Sequence, residues 1–381
     1  MQATSSSPQQ NYRGPVQLSP YEIKWRDRQS FLESKNYMLR PRLRPGWTPS
    51  WLSMGEEYDT CEDSALLPHR PLLVDATRIS DSKLVYIKEV RTGDLESSIA
   101  LMLSAIDNPA NHSVPILDSF EDSVDKSISY LVMPFLRLTD SPPFEVVEEV
   151  LDFADQILEV RSGHELTDLD CSLKNVLLDA SRMYPLGFHP VEDIFLDDIM
   201  TLAPRIPRLE AGVKYYFVDY GISSYFPAGS QRELVLGVAG RDQDVPELSN
   251  NVPYDPFKVD IFTIGNVLRS EIQANYSNLG FFTPLIEHMT QIDPSGRPSA
   301  EQALQQWRSI RARIYTLHRY WRLRNSKEPP LFGPVLDCFY LLGSIPRHGV
   351  SQAQEPTCEI TGVLPSYGFL IATLQGRGLS N

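Results

Sequence analysis

The chain has 381 residues, 42% of them hydrophobic, enough to bury the core of one large domain or two smaller ones. Its formal charge of −14 argues against nucleic-acid binding, because phosphate contacts need clustered Lys and Arg. The cysteines (Cys61, Cys171, Cys338, Cys358) are dispersed and form no metal pattern, as in reduced intracellular thiols. No secretory h-region and no membrane-length apolar run is visible, so an intracellular, cytoplasmic protein with no membrane partner is expected.

Residues 1–20 are polar and Pro-bearing, and their composition predicts disorder. The stretch Tyr21 to Trp51 interleaves Trp25, Trp47 and Trp51 with Arg26, Arg28, Arg40, Arg42 and Arg44. Such interleaving can bind nucleic acid or phosphopeptide, but the favoured reading is an extension whose tryptophans dock on the main domain while its arginines stay wet. Pro41, Pro45 and Pro49 forbid one continuous helix there. A strand is expected from Leu72 to Val74, then a turn at Asp81-Ser82, then a strand from Leu84 to Val90 carrying a single Lys88. Leu95 to Leu103 has helical spacing, with Ile99, Met102 and Leu103 on one face. Val114 to Asp118 and Tyr130 to Leu136 read as two further buried strands, and Phe144 to Val160 as a helix ended by the turn Ser162-Gly163-His164.

Next comes Asp170-Cys171-Ser172-Leu173-Lys174-Asn175, running into the apolar Val176-Leu177-Leu178. A Pro-rich, acidic insert extends from Asp179 to Gly212, before an aromatic strand, Val213 to Val218, that ends in Asp219-Tyr220-Gly221. The polar segment Ile222 to Asp244 leads to Val245-Pro246-Glu247. Asp260, thirteen residues later, begins a D-x-x-x-x-G pattern ending at Gly265. Asp293-Pro294-Ser295-Gly296-Arg297-Pro298-Ser299-Ala300 precedes a last helix, Ala300 to Leu317. From Gly349 the tail is polar, with Gly and Pro, and matches no motif.

Each of these signals is weak alone, but their order and separations resemble a divergent eukaryotic protein-kinase domain over residues from about 70 to about 310. The phrases Asp75-Ala76-Thr77-Arg78, Met183-Tyr184-Pro185, Gly187-Phe188-His189-Pro190 and Val245-Pro246-Glu247-Leu248-Ser249 further resemble a kinase-like family expanded in mushroom-forming fungi. That family likewise carries a Trp/Arg-rich leader.

The resemblance implies an α+β, bilobal fold: a small β-rich lobe over residues 59–136 and a larger, mostly helical lobe over 137–325. The extension 1–58 precedes them and the tail 326–381 follows. It also implies ATP and Mg2+ as ligands. Lys88 would grip the α/β-phosphates, Asp170 would act as base, and Asn175 and Asp219 would hold the metal. Met133, Pro134 and Leu136 would face the adenine, and Lys174 would contact phosphate. Glu247 and Arg297 would form a structural brace, with Asp260 anchoring the central helix.

Three departures stand out. Val74 to Ser80 has no glycine where a phosphate-covering loop would lie. The helix position expected to supply a Glu partner for Lys88 is Ser98, with Glu96 the nearest carboxylate. Asp168-Leu169 stands where kinases carry His-Arg, which would crowd Asp170 and Asp219 with a third carboxylate and free the protein from an activation-loop phosphate switch. Three functions remain open: a Mg-ATP-dependent Ser/Thr protein kinase acting on a protein substrate, a pseudokinase scaffold for nucleotide or a protein partner, and a small-molecule phosphotransferase. Ser172, two residues after Asp170, stands where a Ser/Thr kinase loop carries its Lys.

Overall fold

The computed structural model describes residues 16–55, 57–66, 68, 70–159, 166–167, 170–226, 233–329, 333 and 337. All but Asp337 belong to one unit, Met1–Gly333; Asp337 belongs to a second, Pro334–Asn381. The fold is α+β. A five-stranded antiparallel sheet runs in the order β1-β2-β3-β5-β4, with β1 Tyr37–Met38, β2 Leu73–Arg78, β3 Lys83–Arg91, β4 Asp118–Glu121 and β5 Ile128–Pro134. Helix α4 (Leu95–Ser104) follows β3, and the side chain of its N-cap, Asp94, accepts the Ser97 N–H at 2.8 Å.

Strand β3 alternates across the sheet as its pleat requires. Val85 and Ile87 face one side, where they pack with Val74, Tyr130 and Val132 against Trp25, Leu32, Leu39 and Leu43 of the leader. The leader is therefore part of the sheet domain. It folds as α1 (Pro20–Arg26), α2 (Gln29–Ser34), strand β1 and α3 (Ser50–Met54). Its arginines do not all stay wet, contrary to the sequence reading. The Arg42 side chain is 1% exposed and its Nε donates to Glu22 Oε1 at 2.6 Å. Arg40 Nε donates to Asp75 Oδ2 of β2 at 2.9 Å. A guanidinium is buried only with its charge paired, and here each finds a carboxylate within the same layer. Burial pushes the Glu22 carboxyl up, but bonds from Arg42 and Ser19 outweigh it and hold the group below its ordinary value.

Val74 to Ser80 is strand β2 plus the start of a tight turn to β3, rather than a loop spanning two strands. The expected strand Val114 to Asp118 instead begins at Asp118, because Pro115 supplies no ladder N–H.

The remaining strands are short: β6 Arg137–Leu138, β7 Leu166–Thr167, β8 Val176–Asp179, β9 Lys214–Phe217, β10 Ser224–Tyr225, β11 Val235–Gly237 and β12 Ser249–Tyr254. Strands β6, β8 and β9 form a three-stranded sheet, while β7 pairs with β10 and β11 with β12. The helices of this part are α5 (Val147–Glu159), α6 (Arg208–Ala211), α7 (Pro256–Val267), α8 (Thr283–Met289), α9 (Ala300–Ala312) and α10 (Thr316–Arg319). The expected last helix is thus two, broken after Ala312. Apolar faces of α5, α7, α8 and α9 meet in one core, where Phe282 stacks on Trp307 with ring centroids 4.9 Å apart. Gly265 is needed for this packing: a Cβ there would lie 2.7 Å from Met289 Cβ and 2.9 Å from Thr290 Cγ2.

The insert between β8 and β9 carries only the short α6, yet it is anchored. The guanidinium of Arg137 lies 4.9 Å from the ring of Tyr184 and 4.7 Å from that of Phe188, and pairs with Asp193 Oδ2 at 2.7 Å. His189 Nδ1 accepts the N–H of Glu192 at 2.9 Å, so Nε2 carries the proton and donates to Glu62 Oε1 at 3.3 Å. The insert therefore touches the segment that joins the leader to β2. Among the described residues no helix is long and apolar enough to cross a membrane. The turn at Ser162-Gly163-His164, Asp168-Leu169 and the tail from Gly349 lie outside the described residues.

Candidate functional site

A cavity of about 890 Å³ lies between the five-stranded sheet and the helical part, lined among others by Lys88, Glu96, Met133, Leu136, Asn175 and Asp219. It is held open by residues of opposite character. Leu73, Leu131 and Met133 come from the sheet and Leu177 from β8, giving one end an apolar lining; the other end gathers charge.

Lys88 follows Tyr86 by two on β3, so both face the cavity while Val85 and Ile87 face the leader. The Lys88 Nζ donates to Glu96 Oε1 and, at 3.2 Å, to Asp219 Oδ1. The partner is Glu96, not the residue at 98. Because Asp94 caps α4, Glu96 lies in the first turn of the helix, while the Ser98 hydroxyl turns back to the Asp94 carbonyl at 2.8 Å. Asp94 directly before the apolar Leu95 could have placed this helix start in the sequence. Burial works to lower the Lys88 ammonium, but the charges of Glu96 and Asp219 exceed that effect and leave it above its ordinary value.

Asp219 takes a left-handed backbone with φ of 70°, an uncommon conformation for a residue with a Cβ. Its neighbour Tyr220 is buried among Ile99 and Leu103 of α4, and its hydroxyl donates to the Phe217 carbonyl at 2.9 Å. That ring ties α4, and so Glu96, to the strand that delivers Asp219.

The Asp170 and Asn175 side chains meet: Asn175 Nδ2 donates to Asp170 Oδ2 at 2.8 Å and to its carbonyl at 3.1 Å. This leaves Asn175 Oδ1 as the atom able to ligate a cation. Arg241, which sequence reasoning missed, approaches the same carboxylate. Its N–H donates to Asp170 Oδ1 at 2.9 Å, and its Nε lies 3.3 Å from Oδ2. Burial pushes the Asp170 carboxyl up despite these donors. Beneath it, Cys171 Sγ lies 3.6 Å from Oδ1 of the buried Asp260 on α7. Lys174 is exposed and lines the cavity.

At the apolar end, Met133 and Pro134 close β5, and Leu136 is buried just beyond. Tyr86 intrudes here. Its ring stacks on Phe135 at 4.3 Å with planes 20° apart, and burial pushes its phenol up to about 12. Pro68, Arg70 and Pro71 from the segment before β2 and Pro190, Val191 and Asp193 of the insert complete this end; of these only Pro190 lies in a phrase the sequence marked.

Away from the cavity, Glu247 and Arg297 form a bidentate pair at 2.5 and 2.8 Å. Among the described residues no group of three His, Cys, Asp or Glu is placed to hold a metal ion, so any cation here would draw on Asp219, Asn175 and oxygens of its own ligand. No family model matches the sequence, and neither does any curated protein.

Proposed function

We propose that this chain is a divergent protein-kinase-like protein that binds Mg-ATP and transfers its γ-phosphoryl group to a Ser or Thr hydroxyl of a protein. The observation that carries the reading is Lys88, held by Glu96 and Asp219 at one cavity wall, with Asn175 lining the same cavity and bonded to Asp170. The sheet order β1-β2-β3-β5-β4, with a helix after β3, supports a bilobal kinase-like arrangement.

The residues fit this ligand set. Two carboxylates keep Lys88 charged and aimed, so it can meet phosphate oxygens without reorganising. Asp219 and Asn175 Oδ1 would hold magnesium, which when bound neutralises charge on the phosphates. Asp170 would take the acceptor hydroxyl proton as that oxygen bonds to phosphorus; the bond to the β–γ bridging oxygen breaks, and ADP leaves.

One observation favours a second reading, a scaffold without phosphotransfer. Tyr86 and the segment around Arg70 take up part of the apolar end where a purine would lie. Calorimetry decides first. Saturable, Mg-dependent ATP binding lost in Lys88→Met and Asp219→Asn, with autophosphorylation lost in Asp170→Asn, is the expected result. Binding without transfer, or no ATP binding by the unaltered protein, overturns the phosphotransfer reading and leaves the scaffold.

A further inference from the structure

Arg241 has no place among the roles above, yet its position is built. It precedes Asp242 and Asp244, and both carboxylates accept from Asn266 Nδ2 of α7, at 2.8 and 3.3 Å. The amide is itself fixed, since Arg269 donates to Asn266 Oδ1 through Nε at 3.0 Å and Nη2 at 2.6 Å. Gln243 adds a bond to the Val238 carbonyl at 3.2 Å. The segment is thus tied to the buried central helix, and it delivers Arg241 to Asp170 through both backbone and side chain.

The side chain is 52% exposed and lines the cavity, and among the described residues its two Nη atoms bond to no protein group. The other cations differ. Lys88 is already held by two carboxylates, and Lys174 lies on the exposed rim. Position 172, two beyond Asp170, is a serine and supplies no charge. An acceptor hydroxyl bonded to Asp170 would lie about 3 Å from the carboxylate, with the phosphorus about 3 Å beyond. The phosphoryl oxygens then fall within reach of a guanidinium that contacts that same carboxylate.

We propose that Arg241 is a catalytic residue whose Nη groups take oxygens of the γ-phosphoryl group in flight, a role that rests on the phosphotransfer reading above. As the acceptor oxygen bonds to phosphorus and the bridging bond breaks, negative charge spreads over the phosphoryl oxygens. Arg241 meets that charge as a donor that keeps all its protons, while the acceptor's proton goes to Asp170.

The test compares the full-length protein with Arg241→Gln and Arg241→Lys, using Mg-ATP transfer kinetics and Mg-ADP calorimetry. Arg241→Gln should lower kcat by roughly 100- to 1,000-fold, with KM for ATP and affinity for ADP within about threefold. Arg241→Lys should recover part of the loss, because it restores a point charge without the fork. A half-exposed side chain also predicts an unchanged melting temperature, which separates the effect from misfolding. Equal loss of ADP affinity, or transfer by Arg241→Gln at or above the unaltered rate, overturns this role alone. No transfer by the unaltered protein overturns the phosphotransfer reading and this role together.

Discussion

Replacing Glu247 with Gln tests whether the Glu247–Arg297 pair is a brace rather than part of the chemistry. The Arg297 side chain is 0% exposed and that of Glu247 11%, so the pair is shielded on both sides. Arg297 also donates to the Gln291 carbonyl at 2.7 Å and the Lys258 carbonyl at 2.8 Å, and lies 4.7 Å from the Phe262 ring. Glu247→Gln keeps those contacts and most of the shape, but leaves a buried guanidinium without its counter-charge. Removing one partner of such a pair costs about 3–5 kcal/mol. For a unit of this size, about 2 °C per kcal/mol gives a fall in Tm of roughly 6–10 °C. Differential scanning calorimetry reads it directly, and the ATP binding proposed above should survive at 15 °C. Lys88→Met gives the opposite pattern, because its partners Glu96 and Asp219 are 22% and 46% exposed and can be hydrated once released. A Tm fall below about 2 °C in Glu247→Gln would show that solvent reaches the guanidinium, and the brace argument would fail.

Two further perturbations follow from the same packing. Asp152 on α5 is pushed up to about 6, chiefly by burial, against the bond it accepts from Gln156. The fold therefore binds a proton more tightly than the unfolded chain does, and stability declines as pH rises from about 4 to about 6. Asp152→Asn, which can still accept that bond, should add about 2 kcal/mol at pH 7.5 and almost nothing near pH 4; an equal gain at both refutes the assignment. A chain starting at residue 59 loses Trp25, Leu32, Tyr37, Leu39 and Leu43, which are buried on the sheet. At about 2 kcal/mol each this matches the stability of a whole domain, so the truncated chain should show no cooperative melt; one within about 5 °C of the full chain would refute it.

The elements legible in the sequence were those with local causes. Alternation around Lys88, helical spacing from Leu95 and the apolar run after Asn175 each depend on neighbours a few residues away, and each appears as β3, α4 and β8. The strand expected at Val114 failed because Pro115 overrode the apolar run. The leader was misread for a related reason. Arg42 and Glu22 stand 20 residues apart, and nothing short-range says that two charged residues will be buried together.

The site divides along the same line. Asp170 and Asn175 are five apart and bond directly, so their spacing carried the information. Lys88 and Asp219 are 131 apart and were linked only through the order of motifs along the chain; Asp170 and Arg241 are 71 apart, and no pattern linked them. What brings them together is the layering of the sheet on the helical part, which depends on surface outside the motifs. The leader covers one face of the sheet with Trp25, Leu39 and Leu43, and this is why β3 can carry apolar residues on one face and Tyr86 and Lys88 on the other. The insert clasps Arg137 at the apolar end of the cavity, and through His189 it meets Glu62 in the segment between the leader and β2. Both segments look dispensable when only the motifs are read. In the folded chain the insert lines the cavity through Pro190, Val191 and Asp193, while the leader fixes the sheet from its other face.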